Sequence, residues 1–134
     1  MAEQVEVGPG PLRRAQVRAV ARDGAKVRLT TAAEEALATA RAHIDALAAD
    51  EAPHYGVSTG FGALATTYIP AERRAALQRS LIRSHAAGAG PLVEAEVVRA
   101  MMLLRLRTLA SGRTGVRPVT ARALAALLNA GLVP

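Results

Sequence analysis

The chain has 134 residues, of which 51% are hydrophobic and 2% aromatic, and it carries a formal net charge of +6. It contains no cysteine, which excludes disulfide bonds and thiolate metal sites, and no apolar run approaches the ~20 residues of a transmembrane helix. Its basic residues are spread along the chain, so solvated helix faces and ion pairs explain the charge better than a nucleic-acid interface does. We expect one domain or part of one, soluble and cytoplasmic, without a secretory signal, a membrane segment or a metal site.

The beginning of the chain predicts two short strands that alternate with two helices. In chain order these elements are Gln4–Val7, about Leu12–Ala21, Lys26–Leu29 and about Thr31–Ala49. The strands show alternating polar and apolar residues. Thr31 and Glu34 have the spacing of a capping box, which favours a helix start at that point.

Three further helices are predicted, at about Pro70–Ser84, Glu94–Ala110 and Pro118–Asn129. In the first, the four-residue spacing of Leu77, Leu81 and His85 predicts that His85 lies on the buried face. The second is apolar nearly all round, as in a helix that is covered on most sides. The apolar residues of the third that we expect to face inward are Val119, Leu124, Leu127 and Leu128. The last two helices therefore predict a larger bundle whose other members lie elsewhere.

The segment from Tyr55 to Gly62 differs from its surroundings, because its eight residues include three glycines, two hydroxyl residues and two aromatic residues. Glycine at this density suits backbone that bends sharply or approaches a ligand closely. The aromatic and apolar residues argue against a flexible linker. We therefore predict an ordered loop here. It lacks the Lys-Ser/Thr ending of a phosphate-binding loop.

The candidates for acid–base chemistry are Tyr55 and the three histidines, His43, His54 and His85. Each also has a structural interpretation. Tyr55 could fill the loop with its hydroxyl bonded to backbone, and His85 could be a cation at a helix end. We expect His43 to lie at the surface or at its boundary, and His54 to be exposed. The residue types alone do not decide between these alternatives, and no metal-ligand spacing or nucleophile elbow is present.

Three segments, taken together, resemble motifs of the aromatic amino acid ammonia-lyases. They are Tyr55–Gly62 (YGVSTGFG), Leu77–Gly88 (LQRSLIRSHAAG) and Gly112–Pro118 (GRTGVRP). Their order and spacing also fit, and the resemblance covers essentially the whole chain. It implies a mainly α fold with a small β element near the start. Residues 1–134 would be the N-terminal part of the lyase domain, and the helices from about residue 94 onward would belong to its central bundle.

The pair Ser84–His85, followed by Ala86, is similar to family members that act on histidine. Phenylalanine-specific members usually carry an apolar pair here, and tyrosine lyases usually have His followed by Leu. The resemblance thus implies elimination of ammonia from L-histidine to give trans-urocanate. The alternatives are a tyrosine or phenylalanine ammonia-lyase, an aminomutase that shares the Ser-His pattern, and a non-enzymatic helical protein that binds nucleic acid.

The resemblance also implies roles for three residues. Tyr55 would be the catalytic base, Gly62 would approach the substrate through its backbone, and His85 would contact the substrate. The electrophile would be a methylidene-imidazolone formed from an Ala/Cys-Ser-Gly that lies beyond Pro134 in the family. The letters Ala-Ser-Gly at 110–112 match a different family position. The resemblance further implies a homotetramer, no metal, no nucleic-acid or membrane partner, and no activity for these 134 residues alone.

Overall fold

The computed structural model describes residues 4–134, which form two compact units. The first unit combines the residues up to His43 with Leu92–Pro134, and the second is Ile44–Pro91. The elements in chain order are β1 (Gln4–Val7), α1 (Arg14–Ala21), β2 (Lys26–Leu29), α2 (Thr31–Ala49), a 3-10 turn (Gly62–Leu64), α3 (Ala71–His85), α4 (Ala95–Ala110) and α5 (Pro118–Asn129). The predicted fold class, mainly α with a small β element near the start, is confirmed.

The small β element is a parallel pair, in which Gln4 lies opposite Lys26 and Val7 opposite Leu29. Parallel strands need a crossover connection, and α1 supplies it. The free edge of β2 is completed by the side chain of Asn129 at the end of α5. Its oxygen accepts from the Val27 amide at 2.7 Å, and its nitrogen donates to the Val27 carbonyl at 2.8 Å. One amide side chain therefore takes the place of a third strand at this position.

The first unit is built around an apolar core between the strands, α1, the start of α2, α4 and α5. Its largest fully buried hydrophobic side chains are Leu37, Leu103, Leu106, Leu128, Val7 and Val20. Small residues, among them Ala110 and Ala121 at 0% exposure, allow the helices to approach closely. Apolar burial of this kind is the main favourable contribution to the stability of the unit.

Several arginines join elements of the first unit. The Arg99 guanidinium donates to the Val20 carbonyl at 2.8 and 3.0 Å and to the Leu128 carbonyl at 3.2 Å. These carbonyls lie in the last turns of α1 and α5, where the helix itself supplies no amide four residues further on, and the Leu128 carbonyl also accepts from the Gly131 amide at 3.1 Å. Arg22 pairs with Glu96 at 2.8 Å. The Arg22–Glu96 pair is an ion pair of the kind that the sequence interpretation expects, whereas the binding of helix-end carbonyls by Arg99 is not part of that interpretation.

The predicted capping box at the start of α2 is wrong by one residue. The hydroxyl of Thr30, rather than Thr31, accepts from the amide of Ala33 at 3.2 Å. Thr31 is already helical, so its side chain cannot act as the cap. The Glu34 carboxylate instead accepts from the Arg122 guanidinium at 3.0 Å and ties α2 to α5.

The predicted inward faces of α4 and α5 are partly wrong. Val119 and Leu127 of α5 are 61% and 41% exposed, and the buried positions of that helix are Ala121, Ala125 and Leu128. On α4 the core covers one side only, and the exposed residues on the other are Val97, Met101 and Leu104. Their four- and three-residue spacing makes this a continuous outer stripe. Participation of these helices in a larger bundle remains a prediction. Across residues 4–134, no helix combines the length and the apolarity that crossing a membrane requires.

Candidate functional site

The loop that begins at Tyr55 is ordered by hydrogen bonds to the residues just before it. The His54 carbonyl accepts from the amides of Val57 and Ser58, both at 3.0 Å. These bonds form a tight turn with Tyr55 at its start and Gly56 at a φ of 70°. The prediction of an ordered loop, in place of a linker, is confirmed by this geometry.

The two hydroxyl residues of the loop, Ser58 and Thr59, are buried at 0% and 3% exposure. Ser58 Oγ accepts from the His54 amide at 2.9 Å and donates to the Ala52 carbonyl at 3.4 Å. Thr59 Oγ1 accepts from the Gly56 amide at 3.2 Å and donates to the carbonyl of Gly60 at 3.1 Å. Both hydroxyls therefore satisfy loop backbone, which is what a buried polar group requires.

The end of the loop is held by Tyr68 and Ile69, which run antiparallel to Ser58 and Thr59. Ile69 donates to the Ser58 carbonyl at 2.8 Å, and Thr59 pairs with Tyr68 in an antiparallel bridge. Arg74 on α3 binds behind this segment, because its guanidinium donates to the Ala48 carbonyl at 2.8 Å and to the Ile69 carbonyl at 3.0 Å. Arg74 also lies over the Tyr68 ring, 5.7 Å from its centroid, and donates to the Tyr68 hydroxyl at 3.3 Å. No sequence pattern predicts these roles for Arg74.

Tyr55 itself points outward and is 67% exposed. Its ring meets the Phe61 ring edge-on, with the centroids 5.9 Å apart and the planes at 78°. Within residues 4–134 the Tyr55 hydroxyl makes no hydrogen bond, so the alternative of a plug whose hydroxyl is bonded to backbone is not supported. The ring is anchored on one edge while the phenol oxygen is free to meet another molecule.

Gly60 and Gly62 have different structural requirements in the same loop. A Cβ at Gly60 would lie 2.5 Å from the Leu64 Cβ, so only glycine fits there without movement. Gly62 has a φ of 55°, and its vacant Cβ position faces open space. The positive φ favours glycine at 62, and the open side leaves its backbone accessible.

His85 does not lie on a buried face, which corrects the expectation from helical spacing. It is exposed at the last position of α3, and no residue of that helix is buried. Its Nδ1 lies 2.9 Å from the Leu81 carbonyl and 3.0 Å from Ser84 Oγ. A carbonyl only accepts, so Nδ1 carries the hydrogen in that contact, and Nε2 of the neutral ring remains an acceptor. No hydrogen bond or ring contact among the described residues joins His85 to the Tyr55 loop.

The other two histidines differ from one another. His43 is exposed, as expected. His54 is partly buried, which corrects the expectation of exposure, and its Nε2 lies 2.7 Å from Asp50 Oδ2. The His54 hydrogen bond, followed by the Ala52 amide, lowers the pKa of Asp50 below its ordinary value. From residue 4 to the last residue, the part of the chain that the structure describes holds no group of three potential metal ligands.

The Ala110–Gly112 tripeptide does not fit the electrophile that the resemblance implies. Ala110 is fully buried in the last turn of α4, and the Ser111 hydroxyl donates to the Thr108 carbonyl at 2.7 Å. A Cβ on Gly112 would lie 2.9 Å from the Ala36 carbonyl oxygen, which shows how closely this turn packs against α2. These three residues end a helix and are not available for condensation.

Comparison with known proteins identifies the family. The sequence model described as aromatic amino acid lyase matches residues 12–134. Histidine ammonia-lyase of Streptomyces griseus is 61% identical over 130 residues, which are 97% of this chain and 25% of the relative. Ergothionase of Treponema denticola superposes with a TM-score of 0.94 at 30% identity, over 98% of this chain and 27% of that one. Tyrosine aminomutase of Streptomyces globisporus superposes with a TM-score of 0.89 at 35% identity, over 96% of this chain and 24% of that one. The chain spans about a quarter of these relatives' length, and it belongs to the aromatic amino acid lyase family.

Proposed function

We propose that this chain is part of a histidine ammonia-lyase, which eliminates ammonia from L-histidine to give trans-urocanate. The observation that carries the proposal is the identity of 58 to 61% with histidine ammonia-lyases of three Streptomyces species over nearly the whole chain. Identity with the tyrosine aminomutase structures is lower, at 34 to 36%. This difference favours histidine over the other aromatic amino acids.

In the proposed reaction Tyr55 is the base. Its phenolate would remove a proton from the β-carbon of the substrate, the electron pair of that bond would form the Cα–Cβ double bond, and the amine would leave from the α-carbon. A base must reach the proton it removes within hydrogen-bond distance. The exposed, unbonded phenol oxygen of Tyr55 and the edge-on support from Phe61 both favour this role.

Gly62 and His85 are proposed to bind the substrate. Gly62 offers accessible backbone on the same loop as Tyr55. At His85 the Leu81 carbonyl holds the hydrogen on Nδ1, so that Nε2 can accept a hydrogen bond from a polar substrate such as the imidazole N–H of histidine. The free acceptor explains why a histidine suits a polar ring better than an apolar residue would.

The remaining parts of the proposal follow from family membership. Aromatic amino acid lyases use a methylidene-imidazolone in general, which activates the substrate as an electrophile, and we propose that it forms from a tripeptide outside these residues. We also propose a cytoplasmic homotetramer, in which residues 1–134 are the N-terminal part of the lyase domain and the helices from about residue 94 join its central bundle. The outer apolar stripe of α4 supports the last point.

The identity of the product tests the function. The full-length enzyme that carries this segment is incubated with L-histidine, L-tyrosine and L-phenylalanine in parallel, and the products are separated and identified. We expect trans-urocanate and ammonia from histidine at the highest kcat/KM. Dominant turnover of tyrosine or phenylalanine would contradict the substrate assignment.

The aminomutase is the second candidate, because solved tyrosine aminomutases share this fold at TM-scores of 0.89 to 0.92. An aminomutase would return the ammonia to the β-carbon, so the same product assay would contain a β-amino acid. Nucleic-acid binding is disfavoured, since Arg22, Arg74 and Arg99 are engaged within the chain.

A further inference from the structure

We infer that Asp50 and His54 are positioning residues that hold Tyr55 in place through a carboxylate–imidazole pair. The inference deepens the proposed function and rests on it, because it assumes that Tyr55 is the base. The pair lies immediately before the loop: Asp50 follows the last residue of α2, and His54 precedes Tyr55. A contact there can transmit the position of the helix to the reacting residue.

The Asp50 and His54 side chains are in direct contact. His54 Nε2 donates to Asp50 Oδ2 at 2.7 Å, which is the length of a strong, charge-assisted hydrogen bond. The other carboxylate oxygen, Asp50 Oδ1, accepts from the Ala52 amide at 3.2 Å. One carboxylate therefore binds both the backbone that leaves the helix and the ring of the residue before Tyr55. Its lowered pKa keeps it charged at neutral pH.

The His54 backbone anchors the turn on which Tyr55 lies. Its carbonyl accepts from the amides of Val57 and Ser58 at 3.0 Å, and its amide donates to Ser58 Oγ at 2.9 Å. His54 thus has its side chain bound on one side and its backbone bound on the other. Ser58 Oγ contacts only backbone, so the three residues Asp50, His54 and Ser58 are not a nucleophilic triad.

Tyr55 is 67% exposed. Its own fixed contact is the ring edge against Phe61, and nothing among the described residues bonds its hydroxyl. The direction of so exposed a side chain depends on the backbone that carries it. Displacement of a reacting group by about 1 Å can cost up to about 10²-fold in rate. The Asp50–His54 pair fixes the side chain of the residue that directly precedes Tyr55 in the chain.

The experiment uses the full-length enzyme with Asp50→Asn, His54→Phe and His54→Gln, and with Glu51→Gln as the matched control that removes a neighbouring exposed carboxylate. We expect Asp50→Asn and His54→Phe to lower kcat for histidine about tenfold with little change in KM. The double variant should lose no more than either single one, because each substitution removes the charge-assisted hydrogen bond between the same two side chains. His54→Gln keeps an N–H donor in a similar place and should restore most of the turnover.

Hydrogen exchange measured by mass spectrometry on the peptide spanning residues 54–60 gives a readout that does not depend on activity. Exchange there should accelerate in Asp50→Asn and His54→Phe and stay normal in Glu51→Gln. The inference is overturned if both variants match the control in kcat and exchange, if KM changes alone, or if His54→Gln is as impaired as His54→Phe. A parallel Tyr55→Phe enzyme separates the two hypotheses. Normal turnover in Tyr55→Phe would refute the role of Tyr55 as the base, and the hydrogen-exchange result alone would then test whether Asp50 and His54 hold the loop.

Discussion

The two compact units are stabilised in different ways. Every buried hydrophobic residue identified in the described chain, from Val5 to Leu128, belongs to the unit that combines the residues up to His43 with Leu92–Pro134. In Ile44–Pro91 the buried side chains are the hydroxyls of Ser58 and Thr59, and α3 has no buried residue. The first unit is held by apolar packing, and the second by hydrogen bonds and tight turns. The residues proposed for chemistry all lie in the second, where local opening costs less and side chains remain accessible.

Leu106→Ala should give the largest loss of stability, because it removes a fully buried side chain of α4. A cavity at a leucine site costs about 2–5 kcal/mol in the free energy of unfolding. Leu104→Ala on the same helix, at a residue that is 50% exposed, is the matched control and should change it by only about 0.5 kcal/mol. Chemical unfolding of the 134-residue chain measures both. An equal loss at Leu104 would contradict the described exposure and indicate that another surface covers the α4 stripe.

Ser58→Ala should affect the second unit locally. It leaves the His54 amide without its acceptor, and an unsatisfied buried group costs about 1–3 kcal/mol. We expect faster amide exchange in the Tyr55 loop and an unchanged exchange rate in α4. Ser80→Ala, at an exposed position of α3, serves as the control. Equal acceleration in both units would mean that they unfold together and that the contrast between them is wrong.

His85→Phe should change substrate preference more than stability, because His85 is exposed. A substrate site that loses the polar acceptor of His85 should discriminate less well in favour of histidine over phenylalanine. We expect the ratio of kcat/KM for histidine to that for phenylalanine to fall by about tenfold in the full-length enzyme. If both values fall equally and the ratio holds, His85 serves catalysis or packing instead.

Acid should loosen the Asp50–His54 contact, and this is the smallest effect expected. The pKa of Asp50 is lowered in the folded chain by the His54 hydrogen bond, so its stabilising contribution is fully present above the ordinary value of 3.8. The contribution is lost as the pH falls through the folded pKa. The difference in unfolding free energy between wild type and Asp50→Asn should therefore shrink as the pH falls below about 4. If the difference in unfolding free energy persists at the lowest pH, the charge of the Asp50 carboxylate is not the source of the stabilisation.

Hydrophobic patterning predicts the positions of the elements in the first unit better than it predicts which of their faces are buried. Both strands lie at the predicted residues, and α5 has the predicted bounds, because alternation and the Pro118 signal act locally. The faces of α4 and α5 were harder to predict, since nearly every side of each helix carries apolar residues. Which side meets the core depends on partners distant in sequence. The same reason hides Arg99, whose acceptor at Val20 lies 79 positions away.

The candidate site was predictable in its residues and less so in its contacts. The glycine-rich pattern and the resemblance identified Tyr55 and Gly62, and the structure leaves both accessible. The spacing that assigned His85 to a buried face was misleading, because α3 has no buried face in this chain. No sequence pattern predicts the Asp50–His54 contact, because both residues lie beyond the end of α2, where a four-residue spacing does not place side chains together.

The central claim is that the Tyr55 hydroxyl acts as the base in an elimination reaction. Tyr55→Phe in the full-length enzyme keeps the ring contact with Phe61 and removes only the ionisable oxygen, so the fold should survive. The measurement is kcat for the formation of trans-urocanate from L-histidine at saturating substrate, with thermal unfolding as the check on folding. We predict a loss of about 10²–10⁴-fold in kcat with KM little changed. Turnover within about twofold of the wild type would contradict the account.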